Sequence, residues 1–189
     1  MSQSTNLNLQ EIDRSWTLFI DRDGVINRKR DHDYVKRWEE FIFIDGSLAA
    51  LKHFKSIFGR QIIVTNQRGI DKDLMTEEDL GLIHQKMLGE ISKAGGNIDR
   101  IYYCPFHPEN DHQGWRKPKL GMAKAAKKDF PAIDFQRSIM IGDAWSDMLF
   151  GRNAGMFTIW ISALEMPPAN AHLVDMQLPS LAAFSQLLS

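Results

Sequence analysis

Two aspartates stand two residues apart in Ile20-Asp21-Arg22-Asp23-Gly24, at the end of the β-branched and aromatic run Trp16-Thr17-Leu18-Phe19-Ile20. In extended chain, positions i and i+2 face the same side, so both acids can converge on one point. Gly24 lets the backbone turn sharply and approach a ligand closely. Two adjacent carboxylates repel, and the pair is stable when a cation bridges it or one member holds a proton. Either arrangement is chemically useful. A metal-bound aspartate can attack phosphorus, and a protonated one can donate to a leaving oxygen. Taken alone, the pair could equally well solvate a loop.

Three further clusters are as modest singly. Val64-Thr65-Asn66-Gln67 places a hydroxyl and two amides after a second apolar run. These groups can donate to phosphate oxygens, although threonine and asparagine are also common in turns. Arg116-Lys117-Pro118 offers an arginine that can grip oxygens in a bidentate way and a lysine that can offset phosphate charge. Ile141-Gly142-Asp143-Ala144-Trp145-Ser146-Asp147 again sets acids behind a run of strand type. Asp143 there suits an oxygen shell for magnesium. Asp147 suits the first turn of a helix, where an acid complements the dipole.

The elements that must position these groups alternate between short apolar runs and helical patterns, which points to an α/β domain with a parallel sheet. Strands are expected at 16–20, 61–64, 99–104, 137–141 and 156–161. Helices are expected at 47–58, from Thr76 to about Ala94, at 120–129, at 145–154 and at 178–188. Thr76 with Asp79 reads as a helix start, Gly95-Gly96 as a stop, and Gly155 as the residue past a helix end. All four clusters then fall at the carboxyl edge of one sheet, where α/β folds place their sites. The expected fold is a doubly wound (Rossmann-like) parallel sheet with helices on both faces. Residues 15–189 are read as one domain without a large cap, and 1–14 as a flexible extension.

In that order, DxDG, Thr, Arg-Lys and GDxxxD resemble the four motifs of the haloacid dehalogenase-like phosphatases. Phe19 to Asn27, Asp31-His32-Asp33-Tyr34-Val35, Val64-Thr65-Asn66-Gln67, Ile101-Tyr102-Tyr103-Cys104-Pro105 and Arg116-Lys117-Pro118 resemble the heptose bisphosphate and histidinol phosphatase branch. The resemblance runs from about Thr17 to Ile161. It implies that Asp21 is the nucleophile and Asp23 the general acid and base. Thr65 and Lys117 would steady the phosphoryl group. Asp21, the Asp23 carbonyl and Asp143 would hold Mg2+, with Asp147 ordering the metal's waters. Asn66, Gln67, Arg116, Asp31 and Tyr34 would contact substrate. The implied reaction is removal of phosphate from a phosphorylated sugar through an aspartyl phosphate. The 7-phosphate of a heptose 1,7-bisphosphate is the first expectation, with histidinol phosphate or a non-catalytic phosphosugar-binding relative as alternatives.

The sequence also departs from that branch. Members often hold a structural zinc in the loop before Arg-Lys-Pro. Here Cys104 remains, but Phe106 stands where the histidine is expected, and Gln113 and Trp115 where two cysteines are. A four-ligand Cys/His site cannot form on that pattern, although His107 and His112 have workable spacing from Cys104. Zinc is expected to be absent, with packing by Trp115 and Phe106 in its place. Arg68 after Thr-Asn-Gln, Ala144 after Asp143 and the basic run Arg28-Lys29-Arg30 bear on substrate. If functional, the run favours a second anionic group.

Bulk properties exclude other classes. The 189 residues carry a formal net charge of −1, with 43% hydrophobic and 25% charged residues, which gives no broad basic field for nucleic acid. Cys104 is the only cysteine, so no disulfide forms within the chain. No run approaches the length of a membrane span. A cytoplasmic monomer is expected. A phosphoacceptor signalling domain also gathers Asp, Thr and Lys on such a sheet, but its acceptor follows a middle strand, and the chain order here argues against it.

Overall fold

The computed structural model describes residues 7–30 and 33–188. Six strands form one sheet: β1 (Thr17–Ile20), β2 (Arg60–Asn66), β3 (Arg100–Cys104), β4 (Ser138–Gly142), β5 (Phe157–Ile161) and β6 (Met176–Leu178). Their order is β3-β2-β1-β4-β5-β6, and every pairing is parallel. The helices are α1 (Ser47–Ile57), α2 (Glu77–Lys93), α3 (Gly121–Asp129), α4 (Trp145–Ala154) and α5 (Leu181–Leu187).

Period-two alternation divides the strand side chains between two faces. Leu18, Ile20, Ile63, Ile139 and Ile141 pack with Leu51 and Phe54 of α1, Ile83 and Met87 of α2, and Phe184 of α5. On the other face, Phe19, Ile62, Val64 and Met140 pack with Met122 and Ala126 of α3 and Phe150 of α4. Strands buried on both faces read as near-continuous apolar runs, which is why β1, β2 and β4 were legible.

Thr76 caps α2 through a reciprocal box with Asp79, and Gly155 ends α4 in the left-handed region. The expected terminal helix over 178–188 is shorter, because Met176–Leu178 instead pairs with β5 as an edge strand. Three half-buried residues carry too little pattern to announce a strand. Of the segment read as an extension, 7–14 are described: Leu9–Glu11 form a 3-10 turn, Ile12 is buried, and Leu7 and Leu9 lie against the core. Among the described residues, no helix is long and apolar enough to cross a membrane.

Between β1 and α1 the chain makes an excursion over the sheet edge. Arg28 N–H donates to Ile42 O over 2.8 Å and Ile44 N–H to Ile26 O over 2.9 Å, which closes a narrow flap. Trp38 stacks on Phe41 at 5.1 Å, and Phe41 meets Phe43 edge-on at 5.0 Å. This aromatic base carries Lys29, Arg30 and Tyr34 to the sheet's carboxyl edge.

Candidate active site

The strand order reverses between β1 and β4, and this switch point is where doubly wound sheets open a crevice. Ile20 lies in register with Ile141, and Asp21 N–H donates to Ile141 O over 2.9 Å, so Asp21 and Asp143 leave adjacent strands side by side. Gly24 has φ 88°, and a Cβ there would lie 2.3 Å from Asp143 Oδ2. The turn after β1 therefore passes Asp143 only with glycine. A cavity of about 470 Å3 opens above these strand ends, walled by Asp21, Asp23, Thr65, Lys117, Asp143 and Asp147.

Lys117 is the buried centre of the site. Its Nζ donates to Asp21 Oδ1 at 2.8 Å and to Val64 O at 2.7 Å, and lies 2.7 Å from Asp147 Oδ1. Asn66 holds the Lys117 backbone from both sides: Lys117 N–H donates to its Oδ1, and its Nδ2 donates to Lys117 O. Burial alone would lower the ammonium's pKa, but Asp147 and Asp21 raise it, so it stays charged. Burial lifts the Asp21 carboxyl to about 6 against the pull of Lys117, helped by Asp147 and Asp23. Asp143 is also raised by burial and by Asp21, with Lys29 pulling the other way.

Oxygens of Asp21, Asp143 and Asp147 all lie within 4.8 Å of one another. Among the described residues, three carboxylates here face two ammonium groups, Lys117 and Lys29, and Asp143 Oδ1 is buried without a partner. An all-oxygen set with surplus negative charge and one orphaned oxygen fits a hard divalent cation. Asp147, expected only to order water, also bonds Lys117 and takes the Ala144 N–H at 3.0 Å.

Asp23 stands outside this group of three carboxylates but lines the same cavity. Arg22 Nη2 donates to its two oxygens at 2.9 and 2.8 Å, Asn27 Nδ2 to Oδ1 at 2.9 Å, and Gln67 Nε2 to Oδ2 at 2.8 Å. Burial works to raise this carboxyl, but Arg22, Asn27 and Gln67 hold it below the usual carboxylate range. Arg22 is itself fully buried, and its Nη1 meets His84 Nε2 at 3.1 Å. Burial and Arg22 push the His84 ring down to about 3, so it is neutral.

The rim is basic. Arg30, Arg68, Lys72 and Arg116 line it together with Tyr34. Arg68 Nε donates to Tyr34 Oη, and Lys72 Nζ lies 5.8 Å from the Tyr34 ring centroid. Among the described residues, Arg68, Lys72 and Arg116 form no ion pair with a carboxylate. Burial lowers Arg116 from its ordinary value, and Arg68 adds to the fall, outweighing the opposing pull of groups such as Asp111.

The loop from Pro105 to Lys119 is held differently from expectation. Trp115 packs against the core, but the Phe106 side chain is 36% exposed, and Phe106 serves through its carbonyl, which accepts from Arg116 Nη1 at 3.3 Å. The anchor is Asp111, which accepts from Trp115 N–H at 2.8 Å and Arg116 N–H at 3.1 Å and pairs with Lys119 at 3.2 Å. Asp71 ties the same loop through His107 N–H and Asn110 Nδ2.

The structure thus brings together Asp21, Asp23, Thr65, Asn66, Arg116, Lys117, Asp143, Asp147 and Tyr34. Gln67, expected to touch substrate, is placed behind Asp23 and is 1% exposed. Asp31 lies outside the described residues. Sequence reasoning missed Arg22 and His84, which meet across 62 residues, and Asn27 and Asp111, whose partners are near in sequence but are met only once the turn and the loop close. An arginine locked between two site acids was the one local sign.

An all-parallel α/β sheet with an aspartate pair, a threonine, a buried lysine and a carboxylate cluster at its switch point defines the class as a phosphoryl-transfer protein. A family profile described as HAD-hydrolase-like matches residues 114–167. D-glycero-alpha-D-manno-heptose-1,7-bisphosphate 7-phosphatase of Burkholderia mallei is 40% identical over 147 residues, covering 75% of this chain and 76% of its own. D-glycero-beta-D-manno-heptose-1,7-bisphosphate 7-phosphatase of Escherichia coli K12 is 33% identical over 179 residues, covering 90% and 92%. The structure of D,D-heptose 1,7-bisphosphate phosphatase from B. bronchiseptica, complexed with magnesium and phosphate, superposes with a TM-score of 0.79 at 27% identity, over 92% of this chain and 97% of that one. The chain belongs to the haloacid dehalogenase-like hydrolases and is a phosphatase of their heptose bisphosphate branch.

Proposed function

We propose that this chain removes the 7-phosphate of D-glycero-D-manno-heptose 1,7-bisphosphate, with Asp21 as nucleophile and with Mg2+ on Asp21, Asp143 and the Asp23 carbonyl. The observation that carries the reading is the arrangement of one cavity. A buried Asp21–Lys117 pair stands at its floor, and Arg68, Lys72 and Arg116, which among the described residues form no ion pair with a carboxylate, stand at its rim. A floor that handles one phosphoryl group beneath a rim that attracts another anion suits a bisphosphate. The names of the relatives from B. mallei and E. coli support the same substrate.

Asp21 attacks phosphorus and the sugar oxygen leaves. Lys117, beside Asp21 Oδ1, and the Thr65 hydroxyl meet the equatorial oxygens, where charge is spread in phosphoryl transfer. Asp23 starts as a carboxylate and takes up a proton as the phosphate's negative charge arrives beside it. It passes that proton to the departing alkoxide. In the second half it takes a proton from the water that cleaves the aspartyl phosphate. Bound magnesium would neutralise phosphoryl charge and align Asp21. Asp143, with its unpartnered oxygen, is the ligand most ready for it. The loop before Arg116 is held by Asp111 without a structural zinc, and metal analysis of purified protein would test this.

The test is phosphate release from heptose 1,7-bisphosphate and from a heptose 7-phosphate, with magnesium or EDTA. Wild type, Asp21→Asn and Arg68→Ala/Lys72→Ala would be compared. Magnesium-dependent release that Asp21→Asn abolishes is expected, and the rim variant should raise KM for the bisphosphate alone. Turnover surviving in Asp21→Asn would refute the nucleophile, and equal KM changes on both substrates would refute the rim.

A further inference from the structure

Arg22 carries a full charge with no exposed side-chain surface, buried beside Asp23, Gln67 and His84. Such burial costs several kcal/mol, and apolar residues of the same volume often do as well or better for stability. Its head group is spent on the site: Nη2 bridges both oxygens of Asp23 at 2.9 and 2.8 Å and reaches Gln67 Oε1 at 3.3 Å.

The contact with Gln67 has a directional consequence. An arginine has no acceptor, so the Gln67 amide must present its oxygen to Arg22 and its NH2 group to the other side. From there Nε2 donates to Asp23 Oδ2 at 2.8 Å and to Thr65 Oγ1 at 2.8 Å. A hydroxyl whose oxygen already accepts from an amide keeps its own hydrogen for another partner. Thr65 lines the cavity, so that partner is a phosphoryl oxygen. One guanidinium therefore sets both the Asp23 carboxylate and, through the amide, the Thr65 hydroxyl.

We propose that Arg22 and Gln67 are positioning residues of this phosphatase: they lock the Asp23 carboxylate in place and turn the Thr65 hydroxyl outward as a donor to the phosphoryl group. The inference rests on the role proposed for Asp23.

The test compares heptose 1,7-bisphosphate, whose alkoxide needs a proton to leave, with p-nitrophenyl phosphate, whose aryloxide does not. Asp23→Asn sets the reference ratio of losses. Arg22→Met should lower kcat on the sugar substrate by about a hundredfold, the low end for general acid–base catalysis. Its loss on p-nitrophenyl phosphate should be severalfold smaller, with KM little changed, and Arg22→Lys should recover part of the difference. Gln67→Met, which leaves the buried charge in place, should show the same bias more weakly if Arg22→Met does not fold. Equal losses on both substrates, in step with a fall in Tm, would make the pair merely structural and overturn the inference. Equal losses in Asp23→Asn itself would instead overturn the reading of Asp23, and the inference with it.

Discussion

Lys117 Nζ donates to Asp21 Oδ1 over 2.8 Å, joining the end of β1 to a loop 96 residues further along the chain. The same ammonium lies 2.7 Å from Asp147 at the start of α4, so one buried cation ties three elements around the point where phosphate would sit. Removing it would leave two buried carboxylates without their shared partner.

Lys117→Met should therefore cost stability as well as activity. Breaking a buried pair costs about 3–5 kcal/mol, and losing a donor to the transferring group costs about 10²–10³ in kcat. Lys117→Arg should not restore activity, because a planar fork does not fit where a point charge meets Asp21, Asp147 and Val64 O. Denaturant melts and initial rates on the three proteins check both parts.

The raised Asp21 carboxyl predicts a pH-dependent stability difference in EDTA. Its folded value of about 6 exceeds the ordinary 3.8, so the folded state binds the proton more tightly. Below pH 3.8 the group is protonated in both states and costs nothing. As pH rises to about 6 and beyond, the native state must hold an unfavoured charge. Native stability is therefore lost to this charge as pH rises through that window. Asp21→Asn should thus gain on wild type between about pH 4 and pH 6 and hold its lead above that, as urea midpoints will show. Magnesium should shrink the lead.

Lys29 competes with any cation for Asp143. Its Nζ lies 2.8 Å from Asp143 Oδ2, while its side chain is 54% exposed and free to swing out. Lys29→Ala should lower the magnesium concentration needed for half-maximal activity severalfold, since the carboxylate no longer sheds an ammonium first. A titration with substrate saturating reads this directly.

Asp111→Asn tests the anchor of the Pro105–Lys119 loop. One of the two backbone N–H groups it binds meets an amide NH2 instead of a carboxylate oxygen, and the pair with Lys119 is lost, at a cost of about 1–3 kcal/mol. Arg116 then loses its placement, so KM for a bisphosphate should rise more than kcat falls. The Tm and the two kinetic constants separate stability from placement.

The sequence by itself determined the sheet and the identity of its acids. Strands buried on two faces must be continuous apolar runs, and acids after such runs must sit at the carboxyl edge, so Asp21 and Asp143 were legible from local pattern, while Lys117 was legible only from its place in the order of the four clusters and from the resemblance. What the tertiary structure decided is which groups share a proton or a charge. β6 was hidden because an edge strand of three residues buries too little to leave a pattern. Gln67 was expected at the substrate and stands behind Asp23, because a direction around a strand end depends on the side chains of α2 and the turn after β1. Asp111 read as one loop acid among many. Its work of binding Trp115, Arg116 and Lys119 exists only once the loop closes on it. Hydrophobic periodicity is local and survives in the sequence. The pairing of buried polar groups is a property of three-dimensional neighbours, which one chain read in order does not contain.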